Sequence, residues 1–237
     1  GAGRVYVGLL TADAPGYDPV QPELMLRAAH EIPQLDHLNC LALGPGLGQS
    51  PDASHVLSTA LQKSVPLVLD ADALNVIAAD ANLQQMALAR TLPTILTPHP
   101  AEAARLLDRA TASIQNDRVS AACEIAIRYH ASVVLKGAGS VCALPDGNWF
   151  INTSGNPGMA SAGMGDALTG IIAAFLAQGA DARDALLAGV HLHGAAADEI
   201  AAGSNGPIGI TASDVISAAR TLFNRARFTG SLRDQQP

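Results

Sequence analysis

Lysine is nearly missing from this chain. Of its 14 basic residues only Lys63 and Lys136 are lysines, and 21 acidic residues leave a formal net charge of −7. No basic run and no RNA-binding aromatic motif occurs, which argues against nucleic acid as a partner. An anionic ligand must be met by local amides and a few placed cations rather than by a global field. Aromatic residues are only 3 % of the chain, so its 49 % hydrophobic content has to build a core mainly from Ala, Leu, Val and Ile. There is no long uninterrupted apolar run and no basic-then-apolar start, so the expectation is a cytoplasmic protein with no membrane partner. The three cysteines, Cys40, Cys123 and Cys142, are odd in number and lack CxxC spacing. They read as buried free thiols in a reducing compartment. Two nucleotide motifs are also missing. No GxxxxGK[ST] occurs, which excludes a P-loop enzyme, and the GPGLG run at 44–48 has a glycine at 48 where GxGxxG needs one at 49. A simple dehydrogenase is disfavoured.

What is present is an alternation of short apolar runs with amphipathic stretches. The 237 residues suffice for one large α/β domain. Strands are predicted at 4–10, 40–43, 67–69, 94–96 and 133–135, and helices at 22–29, 51–63, 73–79, 83–88, 100–107, 117–129, 167–177, 184–202 and 211–224. This order predicts parallel βαβ units in a single doubly wound layered sandwich spanning 1–237. Pro145-Asp146-Gly147-Asn148, flanked by two short apolar runs, adds a hairpin at the sheet edge.

The most informative stretch is NTSGNPGMASAGMGD at 152–166, followed at once by an apolar helical run. Glycines at 155, 158, 163 and 165 let backbone amides approach an anion, and the helix expected to open at Asp166 adds unpaired N–H groups. Asp166 at the mouth of this phosphate cradle is either a helix cap or a base for an attacking hydroxyl. Other strand ends carry candidate groups. LDADALN places Asp72 beyond one strand, where it either caps a helix or faces a ligand. LTPHPAE places His99, able to donate to a substrate oxygen, and Glu102, able to hold a hydrated Mg²⁺. LKGAGS places Lys136 before Gly137, Ala138, Gly139 and Ser140, small residues that permit close approach of a nucleotide while the ammonium offsets phosphate charge. His191 and His193 share a predicted helix but at a spacing that faces them apart, so packing or interface roles outweigh zinc binding.

Taken in order, GPGLG, LDADALN, LTPHPAE, LKGAGS and NTSGNPGMASAGMGD resemble the ribokinase-like superfamily, and within it the ADP-dependent NAD(P)H-hydrate dehydratases. The resemblance implies a three-layer αβα sandwich with a mostly parallel sheet. It implies Asp166 as the catalytic aspartate, with Gly163, Met164 and Gly165 as an anion hole. Lys136, Gly137, Ala138, Gly139, Ser140 and Gly165 would meet the nucleotide, and Gly46, His99 and Asp166 the hydrated dinucleotide. His99 stands where the kinases of this superfamily carry the Asn of an NxxE motif, which favours the dehydratase branch. ADP and Mg²⁺ are the implied co-substrate and cofactor, hydrated NADH or NADPH the substrate, and a homo-oligomer, with a tetramer as one option, the assembly. The family has a further strand, glycine-rich loop and helix before the strand at 4–10, so about one βα unit is expected to be absent from this chain. A small-molecule kinase and a non-catalytic nucleotide-binding regulator are the alternatives.

Overall fold

Six short strands define the centre of the molecule: β3 (Leu41–Leu43), β4 (Leu67–Leu69), β5 (Thr94–Leu96), β6 (Ser132–Leu135), β7 (Val141–Ala143) and β8 (Trp149–Ile151). The computed structural model describes residues 1–233 except 12 and 14, with residues 229–233 described by backbone alone. Strands β3 to β6 are parallel and lie side by side in chain order; β7 and β8 close the sheet as the antiparallel edge hairpin expected from the Pro145-Asp146-Gly147-Asn148 turn.

The period of two along each strand sorts side chains between two cores. Leu67, Leu69, Leu96, Val133 and Leu135 pack with α1 (Pro51–Leu61), α2 (Ala71–Ala79), α3 (Ala81–Leu88), α4 (Pro100–Leu107), α5 (Thr111–Asn116) and α6 (Arg118–Tyr129). Val68, Ile95, Val134 and Cys142 face the opposite way, onto α7 (Met164–Ala177) and α8 (Ala182–Gly203). A third apolar cluster joins α7 and α8 to α9 (Ala212–Arg233). The result is a three-layer αβα sandwich. Its winding differs from the doubly wound expectation: successive strands step across the sheet in one direction, so the crossover helices share one face and the C-terminal helices cover the other.

Two further strands, β1 (Tyr6–Leu9) and β2 (Met25–Ala28), form a separate parallel pair. The helix expected at 22–29 is therefore not formed. Exposure alternates along Met25, Leu26, Arg27 and Ala28 with the period of a strand, and the chain then enters a short 3₁₀ turn, Ala29–Gln34, containing Pro33. Pairing with β1 and the proline override a local pattern that suits a helix. Helix α5 was not expected either, and α7 opens at Met164, ahead of Asp166, because Gly163 at φ 80° supplies a left-handed N-cap. Asp166 thus sits in the first turn rather than at the cap.

Candidate functional site

All four parallel strands deliver their carboxyl ends to one edge of the sheet, where open α/β sheets bind ligands. The chain leaves β3 through Gly44, β4 through Asp70, β5 through Thr97 to His99, and β6 through Lys136. Gly44 has to be glycine: φ is +129°, and a Cβ there would lie 1.7 Å from the Asp70 carbonyl oxygen. The loop beyond it exposes Gly46 and is fastened by the Gly48 amide, which donates to Asp72 Oδ2 at 2.9 Å. Asp72 therefore does not cap α2. That role falls to Asp70, whose Oδ1 accepts from the Ala71 amide at 2.9 Å.

Asp70 is 1 % exposed, and its carboxylate gathers three elements. Lys136 Nζ lies 2.6 Å from Oδ1, and the Thr169 hydroxyl, from α7, donates to Oδ2 at 2.8 Å. The Lys136 ammonium thus turns into the protein, toward Asp70, and not out along the glycine-rich loop that follows it. Glu102 Oε2 is a more distant neighbour of the same ammonium, at 3.9 Å. Above the pair runs the first turn of α7, where a Cβ built on Gly165 would lie 3.2 Å from Lys136 Nζ.

His99 and Glu102 form a reciprocal cap at the start of α4. The His99 amide donates to Glu102 Oε2 at 2.7 Å, while His99 Nδ1 accepts from the amides of Ala101 and Glu102 at 3.1 and 3.3 Å. An accepting Nδ1 places the ring proton on Nε2, which lies 3.1 Å from Glu102 Oε1. Both ring nitrogens are engaged, so the half-exposed imidazole offers a ligand its carbon edge and its face. Glu102 is buried, and its two oxygens are taken by His99. Among the described residues no group of three or more His, Cys, Asp or Glu side chains is arranged to hold a metal ion. The residues present thus do not fit a resident Mg²⁺ held by Glu102.

The loop after β6 is shaped from behind. Arg118, the first residue of α6, donates to the carbonyls of Ala138 and Leu135 at 2.6 and 3.0 Å, and Ser140 Oγ bonds the Gly137 carbonyl at 3.0 Å. Burial lowers the Arg118 pKa. Gly137, Ala138 and Gly139 remain exposed.

The glycine loop at 152–163 is clamped to α8 along its first half. The Gly155 amide donates to Asp198 Oδ2 at 2.7 Å and Asn156 Nδ2 to Asp198 Oδ1 at 3.0 Å, while Ser154 Oγ donates to the His191 carbonyl at 3.0 Å. Gly194 allows this approach, since a Cβ on it would lie 2.4 Å from Ser154 Oγ. His193 is buried in the same helix with Nε2 unpartnered, whereas His191 is exposed, so the two rings face apart as their spacing requires. The second half of the loop, from Ala160 to Gly163, is exposed. Asp166 is exposed as well, and its side chain makes no hydrogen bond or ion pair among the described residues.

The structure therefore brings Lys136, Glu102, His99 and Gly165 together, and leaves Gly46 and Asp166 as open groups on the same rim. Sequence reasoning passed over Asp70 in favour of Asp72 and missed Arg118, Thr169 and Asp198. Asp70 carried a signal as the first polar residue after β4; the other three lie inside or at the start of helices with no local mark. The cysteines stay outside the site. Cys142 is buried, Cys40 and Cys123 are half-buried, and burial pushes the Cys40 and Cys142 thiols up to about 12.

Residues 1–220 match the protein family described as NAD(P)H-hydrate dehydratase. The ADP-dependent (S)-NAD(P)H-hydrate dehydratase of Neisseria meningitidis is 41 % identical over 232 residues, covering 95 % of this chain and 77 % of that protein. The bifunctional NAD(P)H-hydrate repair enzyme of Moorella thermoacetica is 44 % identical over 207 residues, covering 87 % of this chain and 35 % of that longer protein. Among solved structures, the ADP/ATP-dependent NAD(P)H-hydrate dehydratase of Bacillus subtilis, co-crystallised with ATP and Mg²⁺, superposes with a TM-score of 0.74 at 31 % identity, over 87 % of this chain and 73 % of that one. With the fold, the order of the strand-end motifs and these matches in agreement, the chain belongs to the NAD(P)H-hydrate dehydratase family.

Proposed function

We propose that this chain dehydrates the (6S)-hydrated forms of NADH and NADPH with ADP as phosphoryl donor, a repair reaction that returns the reduced dinucleotide. The observation that carries this reading is the first turn of α7: an exposed, unpartnered Asp166 beside the Gly163-Met164-Gly165 amides at a helix N-terminus. Asp166 accepts the proton of the ring hydroxyl as that oxygen attacks the terminal phosphoryl group of ADP, and AMP departs. Gly163, Met164 and Gly165 supply amide dipoles to the charge that develops on the transferring group. The ring C–O bond of the phosphorylated intermediate then breaks, phosphate leaves with the bonding pair, and loss of a proton from the adjacent carbon restores the double bond. Hydrated dinucleotide and ADP thus give reduced dinucleotide, AMP and phosphate.

Gly137, Ala138, Gly139 and Ser140 line the AMP portion, with Lys136 behind them at the base of the loop, and Gly46 and the outer edge of His99 meet the dinucleotide. Mg²⁺ arrives as the counter-ion of the ADP phosphates rather than as a resident ion on Glu102. A homo-oligomer in the cytoplasm completes the reading. The test is to mix the protein with hydrated NADH, ADP and Mg²⁺ and follow nicotinamide absorbance together with AMP release. Regained absorbance matched by AMP supports the dehydratase. A stable phosphorylated product without regained absorbance would instead assign a kinase.

A further inference from the structure

Lys136 and Asp70 form an ion pair at the centre of the site in which the carboxylate is buried and the ammonium turns inward to it. We infer that Asp70 is a positioning residue that holds the Lys136 ammonium directly beneath the first turn of α7, making that ammonium a fixed positive charge behind the anion hole rather than a ligand of the nucleotide.

Three observations carry the inference. Asp70 grips Lys136 Nζ at 2.6 Å with one oxygen and takes the Thr169 hydroxyl at 2.8 Å with the other, so one carboxylate fixes both the cation and the helix above it. The space between them is set by residue 165, where a Cβ would lie only 3.2 Å from Nζ and 3.9 Å from Asp70 Oδ2. Gly165 does not have a positive φ, so the glycine serves this approach and not a special backbone conformation. Finally, the Lys136 side chain is 19 % exposed and Asp70 only 1 %, so the charge acts through protein with little solvent to screen it. A single buried pair would be neutral at long range. Here Thr169 and the Ala71 amide also donate to Asp70, and the His99 amide and ring engage Glu102, 3.9 Å from Nζ, so both negative charges are shared with other donors. Of these charged groups the ammonium lies nearest the turn, 3.2 Å from a Cβ on Gly165 against 3.9 Å for Asp70 Oδ2. The amide dipoles of the turn and the ammonium then act in the same sense on a phosphoryl group in transfer, where preorganised charge matters most.

The proposal rests on the dehydratase reading for its location, and its test separates the two. Asp70→Asn keeps one oxygen for the Ala71 amide and turns its NH2 to the Thr169 hydroxyl oxygen, while removing the charge; Lys136→Met keeps the stem. Either single change leaves an uncompensated partner, so the double variant is the decisive one, because it removes both charges of the pair together, leaves Glu102 on its His99 partners and is expected to recover most of the melting temperature lost by the single variants. Each protein is titrated with AMP and Mg²⁺, with and without aluminium fluoride, a mimic of the transferring phosphoryl group. The expected result is AMP affinity within about threefold of wild type in the double variant, and loss of at least tenfold of the affinity gained on adding fluoride. With hydrated NADH, kcat should fall at least tenfold with the KM for ADP nearly unchanged. Thr169→Val should repeat the defect more weakly and Thr169→Ser should rescue it. If the double variant regains both melting temperature and the full fluoride-dependent gain, the pair is only structural and the proposal is overturned. A wild-type protein with no fluoride-dependent gain also overturns it. A wild-type protein that shows the gain but regenerates no NADH refutes the dehydratase reading and leaves the positioning role standing.

Discussion

The two halves of the glycine loop are built on different principles. From Asn152 to Asn156 the chain is fastened to α8 through Ser154, Gly155 and Asn156, with Asp198 taking two of the donors. From Ala160 to Gly163 it is exposed, and among the described residues its one side-chain bond is a long one from Ser161 Oγ to the Ile210 carbonyl at 3.4 Å. The held half fixes the entry of the loop to α8. The open half leaves its backbone exposed, as the proposed phosphate contacts require. Changes in the first should therefore lower stability and affinity together, and changes near the second should alter rate or binding with the fold intact.

The largest effect expected is at Asp166, just past the open half. Asp166→Asn should lower kcat by about 10²- to 10⁴-fold, as loss of a general base does, with melting temperature and ADP binding unchanged. A parallel drop in melting temperature would place Asp166 among the structural residues and erase the contrast. In the held half, Asp198→Ala leaves the Gly155 amide without its acceptor and should cost about 1–3 kcal/mol of stability by denaturant titration. ADP affinity should weaken with it. A variant as stable as wild type would mean that the clamp does not hold the loop.

The same helix gives a pH test. Burial pushes the His193 pKa down to about 4 from an ordinary 6.5, and its ring hydrogen-bonds the Met164 backbone at the start of α7. The folded protein keeps this imidazole neutral where the unfolded chain would protonate it. Its contribution is thus fully present above pH 6.5 and is lost as pH falls toward about 4, at about 1.4 kcal/mol per pH unit. Melting curves between those limits should be less steep in pH for His193→Gln than for wild type; equal slopes would show that another group governs the acid loss. The smallest effect is expected at Ser161→Ala, within about 0.5 kcal/mol of wild type, because it is an exposed site away from packed features. A larger loss there would show that the open half is held after all.

Much of this contrast was hidden in the sequence for a definable reason. The position of the glycine loop before a helix, and of His99, Glu102 and Lys136 at strand ends, follows from local patterns: short apolar runs, prolines and small residues. What a side chain does after that depends on partners far along the chain. Asp198 meets Asn156 across 42 residues, and Thr169 meets Asp70 across 99. Asp70 and Asp72 both follow a strand, and Ala71 at φ 47° accompanies the turn that sends one carboxylate inward and the other to Gly48. Lys136 was readable as a cation in the site but not as one facing inward, since a long flexible stem carries no directional signal. The strand at Met25–Ala28 was lost in the same way, because its partner β1 lies across an intervening loop.

Arg118 carries a consequence for ligand discrimination. In a trans peptide unit the N–H points opposite to the C=O that shares its plane. By drawing the Ala138 carbonyl toward α6, Arg118 turns the Gly139 N–H the other way, and Ser140 does the same for the Ala138 N–H through the Gly137 carbonyl. On the proposed nucleotide reading, a ligand at this loop would meet hydrogen-bond donors and be favoured for the acceptors it brings. The selector would be a guanidinium whose two terminal nitrogens are occupied by main-chain carbonyls.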